Sequence, residues 1–387
     1  IFTVVAIKVL LLINLFSGIA VIFYLCTLCS VVIYLYIYFF NVIWFVFVRC
    51  PETGDLIAAM VVLSLGVSSE IGVIKLIFMV IYSDEVRRIV YNFLECDSHV
   101  IPGTRFSNNM LRILRSVKKR AIFYWVVLIA NSVAYNSTPI FMAGRHMSED
   151  LLVIYGLEPM LESPNFEIAT VLSTITVSFI CFTAANISGF IIILIGYIEA
   201  QMLSLTEEMK QVWMDAVADK KKSKDYKHLK NQPFKVVNKF IKLRLVKIIN
   251  IHKTNISLLN DVEHLFRVPI GIGFVCLSVG IVAQLLGGLQ NTYLEVPFSI
   301  VQVSVDCYIG QKVMDASILF ERAVYDCKWE KFDNSNKKIV LTMLYNSQKT
   351  MQVSAAGMVN LSFSFLQSVL NSIYSSYTTL RPMINKN

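Results

Sequence analysis

The chain has 387 residues, of which 56% are hydrophobic and only 16% are charged, and its formal net charge is +8. Soluble globular chains are about one-quarter charged, and the apolar residues here form long uninterrupted runs, which excludes an ordinary soluble domain. A membrane β-barrel is also disfavoured, because its strands would alternate apolar and polar residues. The composition therefore predicts an all-α protein that crosses a membrane several times.

Seven apolar segments are each long enough to cross a bilayer, which requires about 20 residues. In chain order they cover residues 18–47, 56–82, 121–142, 168–202, 265–286, 296–320 and 354–380. The apolar stretch before them, residues 1–16, is predicted to be a lead-in or interfacial helix. This assignment matters because two spans in that region would reverse the topology of everything that follows.

Charged residues inside a span are expensive in lipid and therefore face protein or water. The second span carries Glu70 and Lys75, which lie five positions apart and so point in different directions around a helix. Each could pair with a neighbouring helix or contact a ligand. The sixth span carries Asp306, Lys312 and Asp315, for which structural pairing and a proton relay are both open.

Lysine and arginine are concentrated in alternate connectors, namely those that follow the second, fourth and sixth spans. Positively charged connectors stay in the cytoplasm, which predicts a cytoplasmic amino terminus and an extracellular carboxyl terminus. The net charge of +8 reflects this bias and gives no reason to expect a nucleic-acid partner. After the fourth span, residues 234–265 have an amphipathic pattern and are predicted to form a cytosolic helix that packs on an apolar partner.

The last span contains no charge between residues 354 and 380, yet it is rich in polar side chains. These recur every three or four positions, so they share one face of a helix. They form two adjoining rows, which are Asn360, Ser364, Gln367, Asn371 and Ser375, and Ser368, Ser372, Ser376 and Thr379. Such a stripe suits either close helix packing or the lining of a water path.

No catalytic pattern stands out in the sequence. The five histidines lack metal-ligand spacing, and neither a glycine-rich phosphate loop nor a nucleophile elbow is present. The eight cysteines lie mostly in apolar runs and predict no disulfide framework. We therefore expect neither an enzyme nor a cofactor or metal site, which leaves the channel, transporter and receptor classes.

The carboxyl-terminal segment carries a distinctive order of residues. It begins with Ala-Ala-Gly at 355–357 and Leu-Ser at 361–362. These are followed by Phe-Leu-x-Ser-Val-Leu-Asn-Ser at 365–372 and Tyr-Ser-x-Tyr-Thr-x-Leu-Arg at 374–381. This order and spacing resembles the last segment of insect odorant receptors. Tyr325, Trp329 and the Gln348-Lys349 pair resemble the same family, and the resemblance extends from about residue 52 onward.

The resemblance implies a function and a set of partners. The chain would be the odorant-specific subunit of a heterotetrameric, ligand-gated, non-selective cation channel, assembled with the family's co-receptor in the dendritic plasma membrane of olfactory neurons and surrounded by lipid. Three parts are implied: residues 1–203 with the odorant pocket, a cytosolic anchor at 204–264, and residues 265–387 with a pore helix at 354–383. A secondary transporter and a divergent gustatory receptor remain alternatives.

The resemblance also implies which residues form the two sites. A small volatile ligand would bind in the outer half of spans two, three, four and six, and depth in the membrane selects the candidates. They are Leu65, Gly66, Ser69, Tyr124, Asn131, Tyr135, Ser173, Thr176, Phe179, Ile180, Val305 and Tyr308. Ordinary helix packing is the alternative for each aromatic candidate. The pore and its gate would use Ser368, Ser372, Ser376, Thr379, Leu380 and Met383.

Overall fold

The computed structural model describes residues 18–222 and 233–384 of the chain, and the side chains of residues 25–220 and 234–382. The predicted lead-in helix at residues 1–16 lies outside these ranges. The described part is helical almost throughout, with one two-stranded hairpin near its carboxyl-terminal end. This confirms the predicted all-α class.

We label the longer helices α1 to α9 in chain order. α1 runs through residues 18–53 and is built from Gly18–Tyr34, Leu35–Phe40, Asn41–Trp44, Phe45–Arg49 and Cys50–Thr53. The others are α2 (Leu56–Ile81), α3 (Ser83–Ser98), α4 (Arg105–Ser137), α5 (Asn165–Lys222), α6 (Pro233–Leu286), α7 (Glu295–Tyr325), α8 (Asn334–Ser347) and α9 (Phe363–Ile384). Strands β1 (Ser354–Ala355) and β2 (Val359–Asn360) precede α9, and single helical turns occur at Thr138–Phe141, Leu289–Thr292 and Trp329–Lys331.

Among the described residues, four helical segments combine the length and the sustained hydropathy that a membrane span requires. They are Leu25–Thr53, Leu56–Ile81, Asn165–Lys220 and Phe234–Leu286. Helices α4, α7 and α9 have a larger share of polar or charged residues. The structure therefore supports a multi-pass membrane protein, while the seven-span arrangement and its orientation stay predictions.

Polar side chains at the amino ends help to determine where two of these helices begin. The Asp55 carboxylate accepts a hydrogen bond from the backbone N–H of Ala58 at the start of α2 (3.0 Å), and Gly54, with φ +73°, lets the chain turn there from α1. The Thr104 hydroxyl accepts a hydrogen bond from the N–H of Ser107 at the start of α4 (3.2 Å). Each such cap stabilises a helix by about 1 kcal/mol.

The centre of the bundle is α5, which packs against α1, α2, α4, α6 and α7. Between residues 191 and 200 its side chains are buried on nearly every side, as expected for a helix that is apolar all round. Gly196 permits a close crossing, because a Cβ there would lie 2.3 Å from a methyl carbon of Val117 on α4. The position of α5 therefore limits how the helices around it can be placed.

The predicted cytosolic helix and the predicted fifth span form one continuous helix, α6. Its buried face includes Ile241 and Leu245, as the amphipathic pattern predicts, and the Arg244 guanidinium pairs with Asp219 on α5 (2.7 Å). The boundaries expected after residues 203 and 264 fall inside α5 and α6. Each of these two helices continues without a break across the expected boundary.

The start of the last helix differs from the prediction. Strands β1 and β2 pair antiparallel, and α9 begins only at Phe363. The expectation of a helix from residue 354 is therefore wrong. Ala356 and Gly357 form the turn between the strands with φ values of 54° and 73°, a left-handed conformation that a right-handed helix does not contain.

The hairpin is attached to the bundle by its backbone. The N–H of Ala356 donates to the carbonyl oxygen of Arg267 on α6 (2.6 Å), and the N–H of Leu361 donates to the carbonyl oxygen of Val353 (2.9 Å). A Cβ added to Gly310 of α7 would lie 2.5 Å from Leu361, so these two backbones are in direct contact. Contacts with α6 and α7 thus determine the point from which α9 starts.

Candidate functional site

The predicted ligand residues on α2 are buried. Leu65 and Ser69 lie in the interior, and the Ser69 hydroxyl donates to the carbonyl oxygen of Gly66 (2.6 Å). Gly66 permits a close crossing of α1 and α2, since a Cβ there would lie 2.8 Å from a methyl carbon of Val42. Gly66 therefore has a role in helix packing.

A cluster of aromatic rings connects α1 with α5. The ring centroids of Tyr34 and Phe179 are 6.2 Å apart, Tyr34 stacks on Tyr38 at 6.2 Å, and the Tyr34 hydroxyl lies 3.4 Å from Ser69 Oγ. Phe179 and Ser69 are predicted ligand residues, whereas Tyr34 and Tyr38 are not, because the resemblance places no part of the pocket on the first span. The signal was present: a tyrosine within an apolar span has a hydroxyl that needs a partner.

Two predicted residues of α4 connect this helix to α7 and the connector before it. The Tyr124 hydroxyl donates to Gln302 Oε1 (2.7 Å), and Asn131 Nδ2 donates to the carbonyl oxygen of Leu294 (2.8 Å). Tyr135, further along α4, is buried. Gln302, also buried, is a polar partner that depth in the membrane alone did not select.

Three predicted residues of α5, namely Ser173, Thr176 and Ile180, are buried as well. The Thr176 hydroxyl donates to the carbonyl oxygen of Leu172 in its own helix (2.7 Å). The Ser173 hydroxyl, in contrast, has no hydrogen-bond partner among the described residues. Since a buried hydroxyl without a partner is destabilising, Ser173 is the member of this group best suited to bind a polar atom of a ligand.

The predicted residues of α7, Val305 and Tyr308, are half-buried. The Arg120 guanidinium lies 5.7 Å from the centre of the Tyr308 ring, and that ring lies 6.3 Å from Phe363, the first residue of α9. Cations over an aromatic face are weakly attracted to it. Tyr308 therefore sits at the start of the last helix, where it connects α4 and α7 with α9.

A buried ion pair joins α2 and α7. Lys75 Nζ lies 3.0 Å from Asp306 Oδ2, with 1% and 6% of the two side chains exposed. This agrees with the expected pairing of Lys75 with a neighbouring helix. Asp315 accepts a hydrogen bond from Gln311 Nε2 in its own helix (2.8 Å). Asp306 and Asp315, the two acidic residues of the predicted sixth span, thus both have structural partners.

The connector between α4 and α5 lies over one end of the bundle. We call this end, which carries residues 138–164 and 287–294, the outer end, because it is predicted to be extracellular. Asn41 of α1 holds the connector in place: its Nδ2 donates to the carbonyl oxygen of Val153 (3.0 Å), and its Oδ1 accepts from the N–H of Tyr155 (2.8 Å). The connector is therefore an ordered cover for this end.

Glu149 in this connector predicts a pH-dependent stability. Burial raises the pKa of its carboxyl from 4.5 to about 8. The folded protein keeps a proton that the unfolded chain loses above pH 4.5. The free energy of unfolding should therefore fall by on the order of 1 kcal/mol per pH unit as the pH rises from about 4.5 to about 8. Thermal melts of purified Glu149→Gln should lack this fall. Glu162→Gln, an exposed control in the same connector, should retain it, and a flat wild-type profile would contradict the prediction.

Two cavities of the described structure lie away from the predicted ligand residues. One, of about 600 Å³, is lined by charged side chains of α4, α5 and α6 that include Arg105 and Asp215. These two residues form an ion pair (2.6 Å). The other, of about 520 Å³, is an apolar groove on α4 beside Trp125 and Val133. Neither contains a residue selected from the sequence.

α9 packs on the bundle with one side and leaves its polar side uncovered. Ile373 is buried, and the Phe365 and Phe274 ring centroids are 5.0 Å apart. The expected pore residues are exposed within the described chain, namely Ser368, Ser372, Ser376, Thr379 and Leu380. The Met383 side chain lies outside the described residues. Within this chain, therefore, helix packing does not account for the polar stripe.

Residues 55–374 match the family model described as 7tm Odorant receptor. The chain belongs to the odorant receptor family. It is 28% identical to Odorant receptor 85b of Drosophila melanogaster over 150 residues, which are 36% of this chain and 38% of that protein. It is 24% identical to Odorant receptor 10 of Aedes albopictus over 158 residues, or 38% of this chain and 42% of that protein. The receptor thus spans well under half the length of these curated relatives.

Solved structures share the fold of the receptor. The insect olfactory receptor OR5 from Machilis hrabei superposes with a TM-score of 0.72 at 11% identity, over 94% of this chain and 90% of that one. The same protein in complex with eugenol superposes with a TM-score of 0.64 over 88% of each chain. At this identity the likeness shows the fold alone. The family to which the chain belongs is one of odorant receptors and not of enzymes, which agrees with the prediction from the sequence.

Proposed function

We propose that this receptor is the odorant-specific subunit of a heterotetrameric, non-selective cation channel in the plasma membrane, assembled with co-receptor subunits. The observation that carries this proposal is α9, an uncharged helix up to Leu380 whose polar side is left uncovered by the rest of the described chain. Polar groups within a membrane need water or a partner. In a ring of subunits, this side of α9 would face the common axis and line a water-filled path.

The outer end of α9 would form the constriction, at Thr379 and Leu380, both of which are exposed. The Thr379 hydroxyl donates to the carbonyl oxygen of Ser375 in its own helix (2.9 Å), which leaves its oxygen free to accept from water. A gate that closes by excluding water needs apolar side chains. In this proposal the co-receptor subunits supply most of them.

The pore is tested by removing single hydroxyl groups. In receptors co-expressed with the co-receptor, Ser376→Ala and Thr379→Val should each lower single-channel conductance by about twofold or more, the effect of one lost hydrogen bond to a passing hydrated ion. Tyr374→Phe removes a hydroxyl from another exposed position of α9 and should leave conductance unchanged. Unaltered conductance and ion selectivity in both test variants would rule out α9 as the lining.

The odorant would bind between α1, α2, α4, α5 and α7, in the region of Phe179 and Tyr135. Aromatic side chains with a few polar atoms are typical of pockets for small apolar ligands, and Tyr34 and Ser173 add a hydroxyl each. The solved complex of the similar Machilis hrabei receptor with eugenol supports a small organic ligand. Binding must favour the open state to drive the channel.

The pocket is tested by truncating its aromatic side chains. Tyr135→Ala and Phe179→Ala should each raise the half-activating odorant concentration by about tenfold or more, because each removes one large apolar contact. Phe123→Ala, on the same helix as Tyr135 but exposed, is the matched control. Surface labelling must show equal delivery of all variants. An unshifted dose–response curve in both test variants would remove them from the pocket.

Assembly with other subunits has a candidate surface on the predicted cytosolic side. Leu341 and Tyr345 of α8 are each 68% exposed, and Leu243 of α6 is 59% exposed. Large apolar side chains outside the membrane that stay this exposed are typical of subunit contacts. The proposed orientation, with the amino terminus inside, would place this surface where the co-receptor's equivalent helices meet it.

A further inference from the structure

The outer end of the bundle holds a buried polar cluster formed by α2, α6 and α7. Gln284 of α6 donates through Nε2 to the hydroxyl oxygens of Ser68 (3.2 Å) and Ser299 (2.9 Å). Glu295, the first residue of α7, accepts a hydrogen bond from the Ser64 hydroxyl through Oε2 (2.7 Å). All five side chains are buried, so the cluster lies inside the protein rather than at its surface.

The cluster has more hydrogen-bond acceptors than donors. Glu295 Oε1 and Gln284 Oε1 are both buried and form no hydrogen bond of ordinary length with the described residues, although the Glu295 and Gln284 side chains are close enough to interact with each other. The single hydroxyl proton of Ser64 is within reach of the carbonyl oxygen of Val61 (2.8 Å) as well as of Glu295. A buried acceptor without a donor destabilises the folded state. The cluster therefore suits a ligand that brings several N–H groups.

The cluster is also acidic and lacks a cation. Glu295 and Glu149 are only 7% and 9% exposed, and neither forms an ion pair with another residue of the described chain. The basic residues of α1 and α2, Arg49 and Lys75, pair with other carboxylates. A carboxylate buried without a cation is unstable, so the protonated, neutral form of Glu295 is favoured.

Two tyrosines are close enough to these acidic groups to interact with them electrostatically. Tyr38 and Tyr135 are both within electrostatic range of Glu149 and of Glu295. Carboxylates combined with aromatic rings are typical of sites for organic ammonium ions. A metal ion would need more ligands, and the described residues contain no group of three or more His, Cys, Asp or Glu side chains that could hold one.

We propose that this cluster recognises the amino group of an amine odorant. A primary amine is mostly R–NH3⁺ in water near neutral pH, because an alkylammonium has a pKa of about 10, and its neutral fraction R–NH2 is the form that enters the buried site. Its nitrogen lone pair takes the proton of the Glu295 carboxyl group: an O–H bond breaks, an N–H bond forms, and an ammonium–carboxylate pair results without any other reactant. The N–H groups of R–NH3⁺ then donate to Glu295 Oε1 and Gln284 Oε1, while the apolar chain lies beside Tyr38 and Tyr135. The inference rests on the proposed odorant-gated function and specifies its ligand class.

The test compares two probes of equal chain length, hexylamine and 1-hexanol. Wild-type receptor co-expressed with the co-receptor should respond to hexylamine at about a tenfold lower concentration than to 1-hexanol, which corresponds to one charge-assisted hydrogen bond. Glu295→Gln, which keeps the shape of the side chain but has no acidic proton, should remove this preference. Glu162→Gln replaces an exposed carboxyl outside the cluster and should retain it.

The outcomes separate this inference from the proposed function. If other volatiles evoke currents but the amine preference is absent, or is unchanged in Glu295→Gln, amine recognition is overturned while the odorant-gated channel stands. If no volatile evokes a current, both are overturned. Purified wild-type receptor provides a second measurement that needs no variant: hexylamine should raise its melting temperature more than 1-hexanol does at the same concentration, and equal or absent stabilisation would contradict the inference.

Discussion

Replacement of Lys75 by Met is expected to abolish most of the folded receptor at the cell surface. The Lys75 ammonium and the Asp306 carboxylate are paired at 3.0 Å and almost completely buried. Removal of one partner leaves an uncompensated charge inside the bundle, which costs about 3–5 kcal/mol. Folded proteins are stable by only about 5–15 kcal/mol in total, so the loss should be severe. Surface labelling in cells and thermal melts of purified receptor measure it.

The reciprocal variant and the double variant make this result specific. Asp306→Asn should destabilise the receptor for the same reason, whereas Lys75→Met combined with Asp306→Leu should recover much of the loss, because replacing both charges by apolar groups is often neutral. Lys312→Met is the matched control, since Lys312 is half-buried and lies 5.5 Å from the Tyr308 ring. A wild-type melting temperature in Lys75→Met would show that the pair contributes nothing.

Replacement of Gly310 by Ala should disrupt both stability and channel function. A Cβ at this position would lie 2.5 Å from both the Cβ and the carbonyl oxygen of Leu361. Since backbone cannot rotate away as a long side chain does, α7 and the segment that leads into α9 must separate. Overpacking of this kind costs about 1–3 kcal/mol, and the displacement falls at the start of the proposed pore helix. We expect a lower melting temperature and a reduced odorant-evoked current.

Two other glycines provide controls for this prediction. Gly189 of α5 has nothing within 4 Å of its hypothetical Cβ, so Gly189→Ala should be neutral or stabilise the helix by up to about 1 kcal/mol. Gly196→Ala should be destabilising but rescued by Val117→Ala, because that contact is with a side chain. Leu361→Ala should not rescue Gly310→Ala, as the carbonyl oxygen remains. If Leu361→Ala rescued Gly310→Ala, or if Gly310→Ala were neutral, the backbone-contact explanation would be refuted.

The places where prediction and structure disagree share one cause. Helix α9 starts nine positions later than expected, after a hairpin whose Ala356 N–H bonds to Arg267 on a different helix. Hydropathy is the same for an apolar strand pair and for an apolar helical turn. Only the position of α6 and α7 selects the hairpin. The contacts that Tyr34 and Gln302 make with predicted ligand residues were also hidden in the sequence, because their partners, Phe179 and Tyr124, lie on other helices.

The sequence by itself determined the all-α class, the membership of the odorant receptor family and the approximate extent of most helices. It also predicted the amphipathic face of α6 and the unusual polarity of the last helix. These properties depend on local patterns of hydropathy, charge and motif, which can be read along a single chain.

The tertiary structure alone decided which residues meet. Lys75 and Asp306 lie 231 positions apart in the chain, and Ser64 and Glu295 are separated by the same interval. Such partners depend on the rotation and relative height of the packed helices, and a one-residue change in either would present different side chains at the interface. Hydropathy does not record that choice, and so the buried polar cluster and the uncovered side of α9 became visible only in the folded protein.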